Sequence, residues 1–234
     1  MPGYGQFCPI AQAAEVLTER WTPLVLRELA LTGSRRFNDI QRGVPQMSSS
    51  LLTKRLRQLE RAGVVERRAR LDGRGSEYHL TAAGQELGPV LVQMGIWSER
   101  WLRRLIFEAQ PDTGLLMWWV RGTVRADALP ARRTVVHFAF DPAPPTLRHF
   151  WLVLPEADLC LSDPGFGVDL DVRTDPTTLT AVWVVDVALA TAIKTGAVRL
   201  EGNRAATRAF PGWFGLHPLF AGVEHPSERP RVTA

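Results

Sequence analysis

The 234-residue sequence lacks the features of secreted, membrane-spanning and zinc-binding proteins. Its only cysteines, Cys8 and Cys160, are too few for a disulfide framework, and no apolar N-terminal stretch behind a basic region indicates a signal peptide. The longest apolar run, residues 115–120, is far shorter than the ~20 residues that span a bilayer. The five histidines are scattered without metal-ligand spacing. We therefore expect a cytoplasmic protein with no membrane partner, no metal and no cofactor.

The sequence also lacks the motifs of common enzyme classes. Gly73 and Gly75 are followed by neither a helix nor a third glycine, so they do not form a phosphate-binding loop. No serine lies in a recognisable nucleophile elbow. The aspartates of the second half are most simply explained as turn and strand-end residues. We predict no catalytic residue and a protein that is not an enzyme.

Lysine is almost absent, since Lys54 and Lys194 are the only two among 28 basic residues. Residues 1–110 hold 16 basic and 11 acidic residues, whereas residues 111–234 hold 12 and 13. The excess is densest over residues 33–74, with 11 basic and four acidic residues. Such a local excess is typical of a phosphate-binding surface, although a solvated face in an arginine-rich proteome remains the alternative.

Apolar periodicity and capping residues predict the elements of the first half. Two helices are expected from Ile10 and from Trp21, a short one at residues 37–41, and one that begins after Ser48 and ends at Gly63. Residues 64–68 and 77–80 are expected to pair as a two-stranded ribbon, and a long helix follows Thr81. This order of elements predicts a winged helix-turn-helix.

The fourth predicted helix carries a polar and basic face opposite its leucines. Such a face suits the major groove, because short side chains let the backbone approach the bases while Arg and Lys reach guanine edges or phosphates. Arginines before this helix and at the tip of the ribbon are expected to hold phosphates. The predicted DNA-binding residues are Arg35, Arg36, Ser49, Ser50, Thr53, Lys54, Arg57, Arg70 and Arg74.

Residues 7–105 resemble the HxlR family of bacterial, MarR-like transcriptional regulators. The resemblance rests on the sequences CPI at 8–10, RW at 20–21, REL at 27–29, RFNDIQ at 36–41, GVV at 63–65 and YHLT at 78–81. It implies a homodimer, formed through the first and last helices of the winged domain, on a pseudo-palindromic double-stranded DNA operator. Gly73 and Gly75 stand where many members have prolines, which leaves the path of the wing on DNA open.

The resemblance also matches Cys8 to a cysteine that several family members use to sense oxidants or electrophiles. No basic residue lies within ten positions of Cys8, so the local sequence gives no reason for an activated thiol. A buried structural thiol is therefore the interpretation that the sequence favours, and Cys8 remains a redox candidate.

The second half predicts an α+β domain. A helix is expected over residues 112–128, strands at residues 134–140, 148–154, 157–162, 167–174 and 178–182, helices at residues 185–194 and 204–213, and a strand at residues 198–202. The order of elements and the sequence DPTTL at 175–179 resemble the sterol-carrier-protein type 2 fold over about residues 130–215.

The expected architecture is thus a DNA-binding domain at 1–110, a connecting helix at 111–129, a sterol-carrier-like domain at 130–225 and a tail at 226–234. The sterol-carrier resemblance implies a cavity for an apolar small-molecule effector, although such aromatic residues commonly just fill a core. The candidate ligand-binding residues are Trp118, Trp119, Phe138, Phe150, Trp151, Trp183, Phe210 and Trp213.

Two functions fit this architecture. The first is an HxlR-type regulator whose C-terminal domain senses an apolar ligand or supports assembly. The alternative is a lipid or small-molecule carrier, or an enzyme, in which the C-terminal domain is the active module and the N-terminal half only dimerises. Salt-dependent, sequence-specific binding of duplex DNA by the first half would separate them.

Overall fold

The computed structural model describes residues 3–70, 73, 75–108, 111–215 and 219–220, with residues 104–108 described by their backbone alone. The chain divides into two compact units, Met1–Met94 and Gly95–Ala234, and the division falls inside one long helix. Each unit contains its own apolar core. Arg74, one of the predicted DNA-binding residues, lies outside the described residues, as does the predicted tail.

The first unit is a winged helix-turn-helix, as predicted. Two strands pair antiparallel, with Val65 opposite Leu80, and the core lies between the helices and this ribbon. The elements of this part of the chain are α1 (Pro9–Leu17), α2 (Thr22–Ala30), α3 (Phe37–Gly43), α4 (Ser49–Arg61), β1 (Val65–Ala69), β2 (Ser76–Leu80) and α5 (Ala82–Glu108).

Hydroxyl side chains define where the helices flanking the ribbon begin. Ser48 caps α4 by accepting a hydrogen bond from the Leu51 N–H at 3.3 Å. Thr81 donates its hydroxyl to the Gly63 carbonyl at 2.6 Å and accepts from the Gly84 N–H at 3.1 Å. Thr81 therefore connects the end of α4 to the start of α5, which fixes the base of the wing.

A buried ion pair within α2 is linked by a hydrogen bond to the end of α3. Glu28 is fully buried and accepts a hydrogen bond from Arg27 Nε at 2.9 Å, while Arg27 Nη2 donates to the Gly43 carbonyl at 2.7 Å. Burial lowers the pKa of Arg27, and the adjacent Glu28 partly offsets this effect. A Cβ at Gly43 would lie 2.0 Å from the Glu28 carboxyl carbon, so any other residue here would force the buried Glu28 side chain to move.

The second unit is an α+β unit in which helices cover one face of a mixed sheet. The sheet has the order β5-β4-β3-β6-β7; β3 and β6 are parallel and the other neighbours are antiparallel. Its elements after α5 are α6 (Thr113–Gly122), β3 (Thr134–Phe140), β4 (His149–Leu154), β5 (Asp158–Cys160), β6 (Leu170–Thr174), α7 (Pro176–Trp183), α8 (Leu189–Lys194), β7 (Arg199–Gly202) and α9 (Arg204–Ala209), with short 3-10 helices at Ala126–Ala128, Pro145–Leu147 and Phe210–Gly212.

Alternation along the strands separates an apolar inner face from a polar outer face. On β3, Phe138 is buried in the core while its neighbour His137 faces outward, and the same parity places Phe150 inward and Trp151 outward on β4. Helix α6 contributes Leu116 to this core. The segment predicted to connect the domains thus packs within the second unit.

The predicted strand at residues 178–182 is wrong, because these residues belong to α7. Asp175 caps this helix by accepting a hydrogen bond from the Thr178 N–H at 2.8 Å, and Pro176 occupies its first turn. The β-branched composition favoured a strand, but the cap and tertiary packing decided for a helix. The helix expected over residues 185–194 is also shorter and begins at Leu189, since Val185 has a left-handed φ of 64°.

The helices in the described part of the chain include none with the length and hydropathy of a membrane span.

Candidate nucleic-acid interface and ligand cavity

Helix α4 presents the predicted polar and basic face to solvent. Its leucines Leu52, Leu56 and Leu59 are buried in the core. Ser49, Ser50, Lys54 and Arg57 are exposed and Thr53 is half-buried, so all five lie away from that core. Lys54 and Arg57 form no ion pair with any residue that the structure describes. Both cations are therefore available to a phosphate or a base edge.

Arg55, on the opposite side of α4, has a structural role. Its Nη2 lies 2.6 Å from Glu19 Oε2, its Nε donates to the Arg20 carbonyl at 3.0 Å and its Nη1 to Gln58 Oε1 at 2.5 Å. These bonds tie the recognition-type helix to the segment between α1 and α2. Arg55 is one of the 11 basic residues counted over residues 33–74, but its charge is buried and paired with Glu19, so it does not add to the positive surface.

The arginines before α3 and on the wing differ in solvent exposure and in their partners within the fold. Arg35 donates to the Leu29 carbonyl at 2.7 Å, and its own carbonyl accepts from the Tyr78 N–H, so Arg35 joins the wing to α2. Arg36 is exposed, whereas Arg70 is largely covered. The structure brings both of them close to Glu77, whose Oε1 lies 4.0 Å from Arg36 Nε and 3.8 Å from Arg70 Nε.

Sequence reasoning missed Glu77. His79 Nε2 also lies 3.4 Å from Glu77 Oε2, so one carboxylate faces several basic groups of the wing. The alternation of β2 places residues 77 and 79 on one face. The approach of Arg36 depends on an isolated antiparallel bridge between Arg36 and Glu77, which sequence spacing does not reveal.

An apolar cavity of about 300 Å³ lies under the inner face of the sheet of the second unit. Phe138, Trp183 and Phe210 line it, together with residues of the α7–α8 connection such as Val185 and Val187. Thr123 is a polar residue of this lining. The cavity is at the lower end of the about 300–1,000 Å³ range of ligand pockets and suits a small apolar molecule.

Three of the eight predicted ligand residues line this cavity, and the others lie elsewhere. Trp119 stacks on Trp183 at a ring distance of 5.2 Å, and Trp213 packs edge-on against Phe210 at 6.0 Å, so both support the lining. Trp118 is buried beneath the Arg121 guanidinium.

Phe150 and Trp151 are further from the cavity than the sequence suggested. Phe150 fills the core against Phe140, with ring centroids 5.8 Å apart. Trp151 lies on the outer face of the sheet against His137, at 4.8 Å. We predicted Phe150 and Trp151 as ligand-binding residues because both are aromatic. Successive residues of a strand point to opposite faces of the sheet, so these two neighbours cannot line the same cavity.

Cys8 directly precedes α1 and is a free, half-buried thiol. It is therefore more accessible than the buried structural thiol that the local sequence favours.

Comparison with known proteins places the first half in a described family. A model of the HxlR-like helix-turn-helix family matches residues 16–105. The HTH-type transcriptional regulator sll1512 of Synechocystis is 39% identical over 112 residues, which cover 47% of this chain and 82% of the relative. YvaP of Bacillus subtilis is 35% identical over 99 residues, which cover 42% of this chain and 91% of the relative.

A solved structure, the reduced form of the regulator YodB from B. subtilis, is 30% identical to the chain. The match covers 41% of this chain and 94% of YodB, with a TM-score of 0.35. YodB has also been solved bound to a quinone.

The winged fold and the basic face of α4 therefore define a DNA-binding, helix-turn-helix transcriptional regulator. The chain belongs to the HxlR family.

Proposed function

We propose that the protein binds a pseudo-palindromic operator as a homodimer, with α4 of each protomer in a major groove and the wing against the neighbouring backbone. The observation that carries this proposal is the solvent-facing set of short and basic side chains on α4. Ser49 and Ser50 let the helix backbone approach the bases, and Arg57 is long enough to reach a guanine edge.

In this arrangement Lys54, Arg36, Arg70 and Arg74 hold phosphates. Arg35 contributes by positioning the wing, because its guanidinium donates to the Leu29 carbonyl. Thr53 donates its hydroxyl to the Ser49 carbonyl at 2.9 Å and keeps acceptor capacity for a base or a bridging water.

Exposed apolar side chains support the homodimer. Ile10 on α1 is 80% exposed, and Val90 and Met94 on α5 are about half exposed. Apolar side chains that remain exposed on helices of one chain favour burial against a second copy.

The test of the DNA interface is the exchange Arg57→Ala in the full chain. An operator is first selected from random duplex DNA with the wild-type protein. Loss of a guanine contact should then cost about 1–3 kcal/mol on that operator and relax the preference at one base pair. Arg208→Ala, which removes an exposed arginine of α9, is the control and should leave affinity unchanged. Unchanged operator binding by Arg57→Ala would reject the assignment of Arg57.

We further propose that the second unit is a sterol-carrier-like sensor whose cavity binds an apolar effector. To change DNA binding, the effector must bind the competent and incompetent states with different affinity. The neutral fluorophore N-phenyl-1-naphthylamine is a suitable probe.

Val187→Trp fills part of the lining and should abolish saturable uptake of this probe. Val168→Trp makes the same exchange at an exposed position and should retain uptake. Equal uptake by both variants would contradict the assigned cavity.

Cys8 is proposed as a redox-sensitive position, because it is accessible and because the relative YodB was solved in a reduced form and with a quinone. Diamide takes up two electrons and two protons as it couples two thiols, so with added glutathione it should convert Cys8 to a mixed disulfide. This treatment should weaken operator binding by the wild type and leave Cys8→Ser unaffected. Equal loss in Cys8→Ser would assign the effect to another group.

A further inference from the structure

A groove of about 800 Å³ lies at one end of the sheet of the second unit, and its lining shares no residue with the apolar cavity. The ends of the parallel strands β3 and β6 meet there, at Asp141 and Asp175. In open sheets, the carboxyl ends of parallel strands are a common place for ligands. The first turn of α7 begins at the same place and adds a partial positive charge.

Three exposed arginines border this groove: Arg148, which directly precedes β4, Arg173 of β6 and Arg199 of β7. Arg173 of β6 lies directly opposite Arg199 of β7 in the register of the sheet. Like charges in direct cross-strand positions are destabilising unless something compensates them.

The protein compensates these guanidinium groups only in part. Arg173 lies 3.6 Å from Glu201, but Arg148 donates to the Ala143 carbonyl and Arg199 to the Gly196 carbonyl. Within the described part of the chain, neither Arg148 nor Arg199 has a carboxylate within 4.0 Å. Each guanidinium has five N–H donors, so most of these donors remain available to a ligand.

Two carboxylates near the groove, those of Asp171 and Asp175, have other partners. Asp175 accepts hydrogen bonds from the N–H and the hydroxyl of Thr178, as the cap of α7. Asp171 Oδ1 lies 2.7 Å from His137 Nδ1, within hydrogen-bond distance. Asp141 is exposed at the rim.

Two stacked imidazoles form the remaining wall. His137 Nε2 lies 3.0 Å from His149 Nδ1, and the two rings stack at 5.2 Å. Partial burial, followed by the charges of His137 and Arg148, lowers the pKa of His149. His149 thus experiences a positive local field, and its ring offers a flat surface beside the arginines.

We propose that this groove is a second ligand site of the C-terminal unit, which binds a small organic anion through a carboxylate or phosphate group. Arg173 and Arg199 hold the anionic group between them and thereby relieve their mutual repulsion. Arg148 closes the groove from the side of β4, and the stacked imidazoles contact the body of the ligand. Bidentate guanidinium contacts suit both carboxylate and phosphate.

The experiment follows the His149 ring by NMR in the full-length protein with labelled histidine. Inorganic phosphate and benzoate are titrated separately at constant ionic strength by replacing chloride. We expect saturable shifts with at least one of the two anions, and the anion that saturates identifies the preferred group. Saturation should also raise the pKa of His149, because a bound anion counteracts the field of Arg148 and His137.

The double variant Arg173→Gln, Arg199→Gln should weaken the saturable binding at least tenfold. Arg208→Gln, an exposed arginine outside the groove, should bind as the wild type does. Near-ultraviolet circular dichroism confirms that both variants retain the fold.

Three results would overturn the proposal. The first is a response that stays linear for both anions, and the second is an equal response in the two variants. The third is a loss of operator affinity in the double variant with a smaller salt dependence, which would assign the arginines to DNA phosphates instead.

Discussion

At the scale of single residues, close packing determines which residue a position can accept, and the composition of the sequence does not reveal such positions. Gly43 is one of 19 glycines, and its sequence neighbourhood marks it only as the end of the short third helix. The structure shows that the Glu28 carboxylate occupies the space that a side chain at position 43 would need. The buried pair of Arg27 and Glu28 therefore depends on a glycine 15 positions further along the chain.

Gly43→Ala should destabilise the winged unit by about 1–3 kcal/mol, because the added methyl group forces the buried carboxylate out of place. Urea unfolding measures this loss. Gly88→Ala is the matched control in α5, where a Cβ meets no atom within 4 Å, and should be neutral or slightly stabilising. A Gly43→Ala protein as stable as the wild type would contradict the close approach.

At the scale of elements, charges combine across neighbouring segments. The wing carries the basic groups that the sequence predicted, but Glu77 on β2 faces Arg36, Arg70 and His79. A carboxylate at this position limits the attraction of the wing for a phosphate backbone. The positive charge that the wing presents to DNA is therefore smaller than the count of its basic residues suggests, because the fold brings a carboxylate next to them.

Glu77→Gln should raise the affinity for duplex DNA and steepen its salt dependence, since more positive charge then faces the phosphates. Fluorescence anisotropy at several salt concentrations measures both quantities. Glu86→Gln on α5 is the control, because it removes one exposed carboxylate outside the wing. A weaker binding of Glu77→Gln would indicate that Glu77 orders the arginines rather than neutralising them.

The C-terminal part of α5 carries a second group of charges that combine across neighbouring segments. Arg103 is 93% buried, forms an ion pair with the buried Glu99 and donates to Asp186 Oδ1 at 2.8 Å. Arg103→Ala would leave Glu99 buried beside fewer positive charges, so a loss of about 3–5 kcal/mol is expected in the second unit.

Asp186→Asn tests how much the second ion pair of Arg103, with Asp186, contributes to stability. The Asp186 side chain is half exposed, so solvent screens its charge and the expected loss is about 0–1 kcal/mol. Thermal unfolding of the two variants compares the losses. Equal destabilisation would show that Asp186, rather than Glu99, is the partner that needs Arg103.

At the scale of the whole molecule, the net charge of +4 hides two different halves. The excess of basic residues lies in residues 1–110, where α4 and the wing also lie, while the second half is nearly balanced. DNA binding should therefore depend on salt through the first unit alone.

Lys54→Gln should reduce the slope of log K against log salt by about one, with a similar loss of affinity for all sequences. Arg208→Gln in the second unit should leave the slope unchanged. If Arg208→Gln reduced the slope as much as Lys54→Gln, the second unit would also contact DNA.

The sequence by itself determined the winged unit and the face of α4, because helix periodicity, the Ser48 cap and the Gly63 end are local signals. The start of α7 at Asp175 and Pro176 is also a local signal, although the β-branched composition of residues 178–182 predicted a strand. Only the tertiary structure decided that Trp151 lies on the outer face and that Phe138, Trp183 and Phe210 line one cavity. It also decided that Arg173 opposes Arg199. These outcomes depend on which strands pair and which face each helix covers, and such long-range contacts are not encoded by the spacing of neighbouring residues.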